Sequence, residues 1–512
     1  MLCATPEQMK EMDRLAAERI GAPGILLMEN AGAAVARETL ALCRERGVAR
    51  VHVLCGTGNN GGDGFVAARR LRLEGLEVTY EIVGDADRIR GDALTNLRIL
   101  RELGTQPSTM PEGAVLVDAL LGTGTSGAPR EPVASAVRRI NEAHMPVVAV
   151  DIPSGVDGLT GNVPGEAVRA DVTVTLGLPK PGLLLYPGAA CLGRLVVDAI
   201  GMDWSRTGVG ACARWYLAEN ALRAVPRRRR DAHKGVFGHV LVVGGSAGMT
   251  GAPTLAARGA LRAGAGLVTV AAPRSAQAII ASNVPEAMTV PLPEQDGALC
   301  PSSIDALQAA MERATVACIG PGIGRASHTA EFVRQFVARC PLPLVVDADA
   351  LWAISGRPEL TRERQVPTVL TPHPGEAAVL LSLDIAEVQR DRMASAQRLA
   401  ETYGCVAILK GAGTVVHRGQ QEEQTLRADG VAPCTIVTTG NPGMATGGCG
   451  DVLTGVVGSL MGQGVMAYEA ACLGAFVHGF AGDIVSRSTG EAGLLAGDLA
   501  DGLAEALKEL GI

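Results

Sequence analysis

Short apolar runs of Val, Leu, Ile and Ala, each closed by a turn carrying Gly or Asp, recur along most of the chain. They stand at residues 51–55, 78–83, 114–119, 147–152, 171–176 and 195–200. They return at 238–244, 266–271, 315–320, 343–347, 368–370 and 405–409. Strand–loop–helix repetition of this kind predicts parallel sheets covered on both faces. Ligands of such sheets bind outside the carboxyl ends of the strands. Asp63, Asp118 and Asp151 all fall at or just beyond such ends, so the pattern that sets the fold also says where chemistry belongs.

A chain of 512 residues is too long for one ordinary core. The repetition breaks between residues 201 and 235, where Arg227 to Arg230 form a four-arginine run read as a solvated hinge. The expected division is 1–225 and 226–512, each an αβα layer structure. Aromatic residues make up only 3% of the chain, so both cores must be built from aliphatic side chains. A net charge of −7 argues against a general nucleic-acid binder. The 12 cysteines include no Cys-x-x-Cys, which predicts reduced, buried thiols in a cytoplasmic protein rather than a disulfide framework or a zinc site. The start, Thr5-Pro6-Glu7-Gln8, reads as a helix N-cap with Pro at the first helical position, not as a signal peptide. No uncharged apolar stretch is long enough to span a bilayer.

Two glycine-rich segments stand apart from the other turns. The later one runs Thr446-Gly447-Gly448-Cys449-Gly450-Asp451 and leads into a helical pattern. Small residues here present consecutive backbone N–H groups at a helix start, an anion hole suited to a migrating phosphoryl group. Asp451 is placed to accept a proton from an attacking hydroxyl. No Gly-Lys-Ser/Thr follows, so this is not a Walker A loop. Lys410 precedes Gly411-Ala412-Gly413-Thr414 at a strand end, which favours phosphate contact over a solvated charge. Asp347 and Asp349 leave two readings open, metal ligation and helix capping.

The small-small-Gly-Asp loop resembles the signature of the ribokinase-like superfamily. The 441–453 block, Gly244-Gly245-Ser246, Gly320-Pro321-Gly322, the 410–414 segment and above all Thr371-Pro372-His373-Pro374-Gly375-Glu376 resemble its NAD(P)H-hydrate dehydratase branch, from Arg230 onward. The resemblance implies repair of NADH or NADPH whose nicotinamide ring has gained water (NADHX, NADPHX). The bacterial type spends ADP, with Mg2+ on the phosphates, to phosphorylate the new hydroxyl, then eliminates phosphate and releases AMP. It further implies Asp451 as the base, Lys410 to Thr414 and Gly450 at the adenine nucleotide, and Ala252, Gly322, His373 and Asp451 at the hydrate. Cys449 stands where members commonly carry Ser or Ala, a departure that matters little if the loop binds through N–H groups.

The earlier segment runs Gly56-Thr57-Gly58-Asn59-Asn60-Gly61-Gly62-Asp63-Gly64. It meets the dinucleotide spacing Gly-x-Gly-x-x-Gly, yet no acidic residue closes the second strand as a ribose partner should. Asn59, Asn60 and Asp63 add side-chain oxygens, which suit a hard monovalent cation beside phosphate. With Met28-Glu29-Asn30-Ala31-Gly32, residues 118–124 and residues 151–157, this segment resembles the NAD(P)H-hydrate epimerase family over residues 5–200. That implies a Rossmann-like fold, interconversion of R and S hydrates, and Asp151 as the catalytic carboxylate, with Lys180 a second acid/base group. Asn59, Asn60, Gly61, Gly62 and Asp63, with Gly122, Thr123, Gly124, Thr125, Ser126, Gly127 and Ala128, would cradle the substrate beside Asp151. Asn60, Asp118 and Ser154 match the K+ positions. Asp157, in a Gly-flanked turn, is expected to be structural.

The expectation is therefore a fused epimerase and ADP-dependent dehydratase, a homo-oligomer with small-molecule substrates and no nucleic-acid or membrane partner. A ribokinase-like ATP-dependent vitamin or sugar kinase fused to a nucleotide-binding Rossmann-like domain is the enzyme alternative. A nucleotide-sensing scaffold is the non-enzyme one.

Overall fold

The computed structural model describes residues 1–124, 127–419 and 432–511. The chain forms two compact units, one of residues 2–213 and one of residues 214–512 with Met1.

The first unit carries a six-stranded sheet: β1 (Arg50–Cys55), β2 (Glu77–Ile82), β3 (Val115–Ala119), β4 (Val147–Val150), β5 (Val172–Leu176) and β6 (Arg194–Asp198). The order is β2-β1-β3-β4-β5-β6, and every pairing is parallel. Both faces are covered. Val51, Val53 and Cys55 of β1 enter one apolar core, while Leu54 enters another with Leu116 of β3. Side chains alternate across a strand, so a sheet buried on both faces shows continuous apolar runs instead of period-two patterning. Strand order reverses between β1 and β3, which opens a crevice at their carboxyl ends. Register pairs Cys55 with Ala119 there and Leu54 with Asp118.

The helix after β1 starts at Asn59 and runs to Leu73, so it takes in the last glycines of the 56–64 segment. Glycine weakens a helix intrinsically, but packing overrides that here. A Cβ on Gly61 would stand 2.0 Å from the Gly56 carbonyl oxygen, and one on Gly64 would stand 2.6 Å from Ala119 Cβ. At the amino end, Thr5 caps the helix Pro6–Leu15 in a capping box with Gln8, and Pro6 takes the first helical position as the sequence predicts.

The second unit carries β7 (His239–Val243), β8 (Leu267–Pro273), β9 (Met288–Leu292), β10 (Val316–Ile319), β11 (Leu344–Val346), β12 (Thr368–Leu370), β13 (Val406–Leu409), β14 (Thr414–His417) and β15 (Cys434–Val437). These run in the order β15-β14-β13-β12-β11-β10-β7-β8-β9. Strands β7 to β13 are parallel to their neighbours, and β14 and β15 add antiparallel. The switch point lies between β7 and β10, where the loops beyond them meet. The Gly245 amide donates to the Pro321 carbonyl at 2.8 Å, and Ser246 Oγ donates to the Gly322 carbonyl at 2.9 Å. Helices Cys449–Gly462, Ala467–Thr489 and Ala496–Glu509 close the chain. The first lies tight against helix Gly251–Arg262: a Cβ on Gly455 would meet the Ala256 carbonyl oxygen at 1.9 Å. Among the described residues no helix is long and apolar enough to cross a membrane.

Candidate active sites

In the first unit the crevice between β1 and β3 gathers Asn60, Asp118 and Ser154. Asp118 ends β3 fully buried. Its Oδ1 accepts from Ser154 Oγ at 2.6 Å and its Oδ2 from the Ser154 amide at 2.8 Å. Leu121 joins the third residue to them. Its carbonyl accepts from Asn60 Nδ2 at 3.0 Å, while its amide donates to Ser154 Oγ at 2.9 Å. Burial pushes the Asp118 carboxyl up to about 6, against the hydrogen bonds from Ser154 and Leu120. No cationic side chain pairs with it among the described residues. A buried carboxylate ringed by neutral oxygens and amides is what a monovalent cation would satisfy.

Asp151 follows β4 with φ of 66°, a left-handed conformation uncommon for a non-glycine residue and frequent at functional sites. Its Oδ1 accepts from Lys180 Nζ, from the Leu176 amide at 3.1 Å and from Thr175 Oγ1 at 3.3 Å. Oδ2 has no hydrogen bond among the described residues. Lys180 is buried, and also donates to the Leu176 carbonyl at 2.7 Å. Asp63, in the first turn of the Asn59–Leu73 helix, is held well above the usual carboxylate range by burial, with the charges of Asp151 and Asp13 adding. Asp13 is a member that sequence reasoning missed. It sits on the helix Pro6–Leu15, and burial of its carboxyl, opposed by the charge of Lys180 and aided by that of Asp151, raises it to about 6. No motif surrounds it, and only its place on the first helix brings it here.

The rest of the expected cradle is more scattered. Asn59 is exposed at the helix start. Gly122 lies against Asn60, Gly127 has φ of 81°, and Ala128 packs on Gly165. Thr123 and Gly124 continue the loop from Gly122, and Thr125 and Ser126 lie outside the described residues. Asp157 is structural as expected: its Oδ1 accepts from Leu159, Thr160 and the Thr160 hydroxyl.

In the second unit Gly448, with φ of 96°, turns the chain into the helix Cys449–Gly462, and Asp451 lies in its first turn. The leading amides of a helix have no intrahelical acceptor and attract anions. Burial raises the Asp451 carboxyl to about 7, and Asp347 adds while Lys410 opposes. Lys410 Nζ lies 2.8 Å from Asp347 Oδ1 and 3.8 Å from Glu376 Oε2. It also stands 3.2 Å from where a Cβ on Gly450 would be. Burial disfavours the ammonium, but Asp347 and Glu376 overcome that and hold Lys410 above the usual range. Asp347 neither caps a helix nor joins a metal-binding group of His, Cys, Asp or Glu among the described residues. Asp349 pairs with Arg325 at 2.6 Å.

The 410–414 loop depends on a residue that sequence reasoning missed. Buried Arg392 donates through Nη2 to the carbonyls of Leu409, Lys410 and Gly413. Thr414 Oγ1 closes the loop onto the Gly411 carbonyl at 2.9 Å. Ala412 lies exposed between Gly411 and Gly413. Ala252 and Gly322 are neighbours: a Cβ on Gly322 would stand 3.1 Å from that of Ala252. His373 both caps and lines. Its Nδ1 accepts from the Gly375 amide at 3.0 Å and the Glu376 amide at 3.3 Å. Its ring borders a cavity of about 230 Å³ with Arg325, Trp352, Gly375, Glu376 and Val379.

Two family descriptions match the chain: NAD(P)H-hydrate dehydratase over residues 240–505 and YjeF-related protein N-terminus over residues 24–182. The chain is 42% identical to the bifunctional NAD(P)H-hydrate repair enzyme of Moorella thermoacetica, over 100% of this chain and 97% of that protein. It is 38% identical to the one from Escherichia coli K12, over 96% of this chain and 91% of the relative. An ADP/ATP-dependent NAD(P)H-hydrate dehydratase from Bacillus subtilis, co-crystallised with ATP/Mg2+, aligns at 27% identity and a TM-score of 0.49, covering 58% of this chain and 99% of that one. Two matched units and near full-length relatives show that the chain belongs to the bifunctional NAD(P)H-hydrate repair enzymes.

Proposed function

We propose that the chain repairs hydrated NADH and NADPH, with the first unit interconverting the R and S hydrates and the second dehydrating the S form at the expense of ADP. The observation that carries the second half is Asp451: a carboxyl raised to about 7, without an ion pair of its own among the described residues, in the first turn of a helix whose leading amides are free to take an anion. A general base works best with a pKa near the operating pH. Asp451 takes the proton of the hydrate's hydroxyl as that oxygen attacks the terminal phosphorus of ADP. The phosphorus–oxygen bond to AMP breaks, and AMP leaves. Loss of phosphate together with the proton of the adjacent ring carbon then restores the double bond. Amides at the head of the helix and Lys410 hold the phosphates, Mg2+ accompanies them, and Gly411 to Thr414 take the nucleotide. Ala252, Gly322 and His373 bound the hydrate.

In the first unit the carbon that inverts is bonded to a ring nitrogen, so its hydroxyl leaves and returns through a cation-like state. Oδ2 of Asp151 faces that charge while Lys180 and the Leu176 amide fix Oδ1. Asn59 to Asp63 and Gly122 to Ala128 hold the substrate. Asn60, Asp118 and Ser154 would hold K+, which would offset the buried Asp118 charge. None of the twelve cysteines forms a disulfide among the described residues, in line with a reducing, cytoplasmic setting, and self-association into a homo-oligomer is checked by sedimentation.

The test is recovery of reduced-nicotinamide absorbance from mixed R and S hydrates with ADP. The intact chain should recover all of it. Asp451→Asn should recover none, and Asp151→Asn should slow the R fraction alone. If ADP yields no recovery with the intact chain, the reading is wrong.

A further inference from the structure

Lys410 lies at the end of β13, where the charges of three carboxylates act on it: Asp347, Glu376 and Asp451. Its nearest partner is Asp347, at 2.8 Å, with Glu376 next at 3.8 Å. No ion pair joins it to Asp451 among the described residues. Asp347 itself is held from the other side. Its Oδ2 accepts from Thr454 Oγ1 at 2.6 Å, and Thr454 stands three residues beyond Asp451 on the same helix. Both oxygens of Asp347 are thus engaged, and its side chain is only 2% exposed. It ties together the end of β11, the lysine after β13 and the helix that carries Asp451. A carboxylate so committed is a poor base and a poor ligand, and its geometry serves its neighbours instead.

Asp347 leaves the ammonium over the backbone of the loop, 3.2 Å from the Cβ position of Gly450. Were Lys410 to swing onto Asp451, the site would lose twice: the phosphates would lose a cation, and the base would be tied up in a salt bridge. Resting on the dehydratase reading above, we propose that Asp347 is a positioning residue of that site. It pins Lys410 over Gly450 toward the ADP phosphates and keeps it off Asp451, so that the hydroxyl proton has a free acceptor.

The charged groups that act on Asp451 come from several segments. Asp347 and Asp349 follow β11, Glu376 lies in the helix Pro374–Leu381, and Lys410 follows β13. His478, from the helix Ala467–Thr489, is held neutral by burial, its pKa lowered to about 4, with Nε2 at 2.8 Å from the Cys449 carbonyl. In Asp347→Asn the negative charge that raises Asp451 disappears, and Lys410 is released toward Glu376 and Asp451. Both changes lower the pKa of Asp451. The acid limb of kcat should therefore move to lower pH. KM for ADP should rise about tenfold, the equivalent of one charge-assisted contact.

The experiment compares the full-length intact chain with Asp347→Asn, using preformed S hydrate, varied ADP and a pH series. A thermal melt establishes that the variant is folded. A folded variant whose KM for ADP and acid limb both stay put overturns the inference, as does a fall in kcat alone with neither shifted. If Asp347→Asn does not fold, Thr454→Val serves. It keeps every charge and removes the hydroxyl that holds Asp347 and also reaches the Gly450 carbonyl at 3.2 Å, and it should raise KM for ADP about two- to threefold. An unchanged KM there overturns the inference. Failure of the intact chain to turn over hydrate with ADP would sink the underlying reading instead, so the two failures are distinct.

Discussion

Each unit sets a lysine beside an aspartate beyond the carboxyl edge of its sheet, but the two pairs are connected differently. In the first unit Lys180 bonds directly to Oδ1 of Asp151, the candidate catalytic carboxylate, and Oδ2 has no hydrogen bond among the described residues. In the second, Lys410 bonds to Asp347, and Asp451 has no ion pair of its own among the described residues. The same two side-chain types thus yield a fixed carboxylate suited to facing a transient cation, and a free one near neutrality suited to taking a proton. Where the lysine goes, more than which residues are present, separates the two proposed chemistries.

The sharpest way to break this contrast is Asp451→Asn. Dehydration should fall by about 10³-fold or more, the range for removing a general base, while epimerisation followed by chiral separation of the hydrates stays at the level of the intact chain. A matching loss of epimerisation would erase the distinction. Lys180→Met comes next. It strands Asp151 beside an apolar chain and should destabilise the first unit by about 3–5 kcal/mol in urea unfolding, partly restored when Asp151→Asn is added.

The free carboxylate should also carry a stability cost. Asp451 titrates near 3.8 when unfolded and about 7 when folded, so the folded state binds the extra proton between those values. Stability is therefore lost as pH rises across that window. Asp451→Asn should be more stable than the intact chain by on the order of 2–4 kcal/mol at pH 8, with the gain vanishing near pH 4. Over the same window kcat for dehydration should climb with pH through about 7. The smaller effects follow from neutral groups. Ser154→Ala should weaken K+ activation of epimerisation and cost about 1 kcal/mol, by loss of the bond to Asp118. Cys449→Ala should change kcat/KM for ADP by roughly twofold or less, since the loop would bind through backbone amides.

Residues that form the buried parallel strands were the most legible part of the chain. Runs such as 51–55 and 114–119 read as strands because a sheet covered on both faces leaves no polar alternation to confuse them. Strands Thr414–His417 and Cys434–Val437 were not read as strands, since they join antiparallel with no crossover helix to announce them. Edge strand Met288–Leu292, half exposed, has no continuous apolar run. The helix start at Asn59 was hidden by glycines whose presence is dictated by contacts with Gly56 and Ala119, distant in pattern though near in space. At the candidate sites, glycine loops and strand-end aspartates could be named from spacing. Asp13 and Arg392 could not, because one acts through its charge from a separate helix and the other from beneath a loop, and neither leaves a local signature. The pairing of Lys410 with Asp347 was equally invisible, since 63 positions separate them.

One consequence concerns the histidine that begins the helix Pro374–Leu381. Both protein contacts to its Nδ1 come from amide hydrogens, so that nitrogen must carry the lone pair, and the neutral ring keeps its hydrogen on Nε2. The tautomer is thereby set by the fold before any ligand arrives. Nε2, 3.5 Å from Glu376 Oε1, can then only offer a hydrogen, so an incoming carbonyl or phosphate oxygen competes with that carboxylate and another donor is turned away.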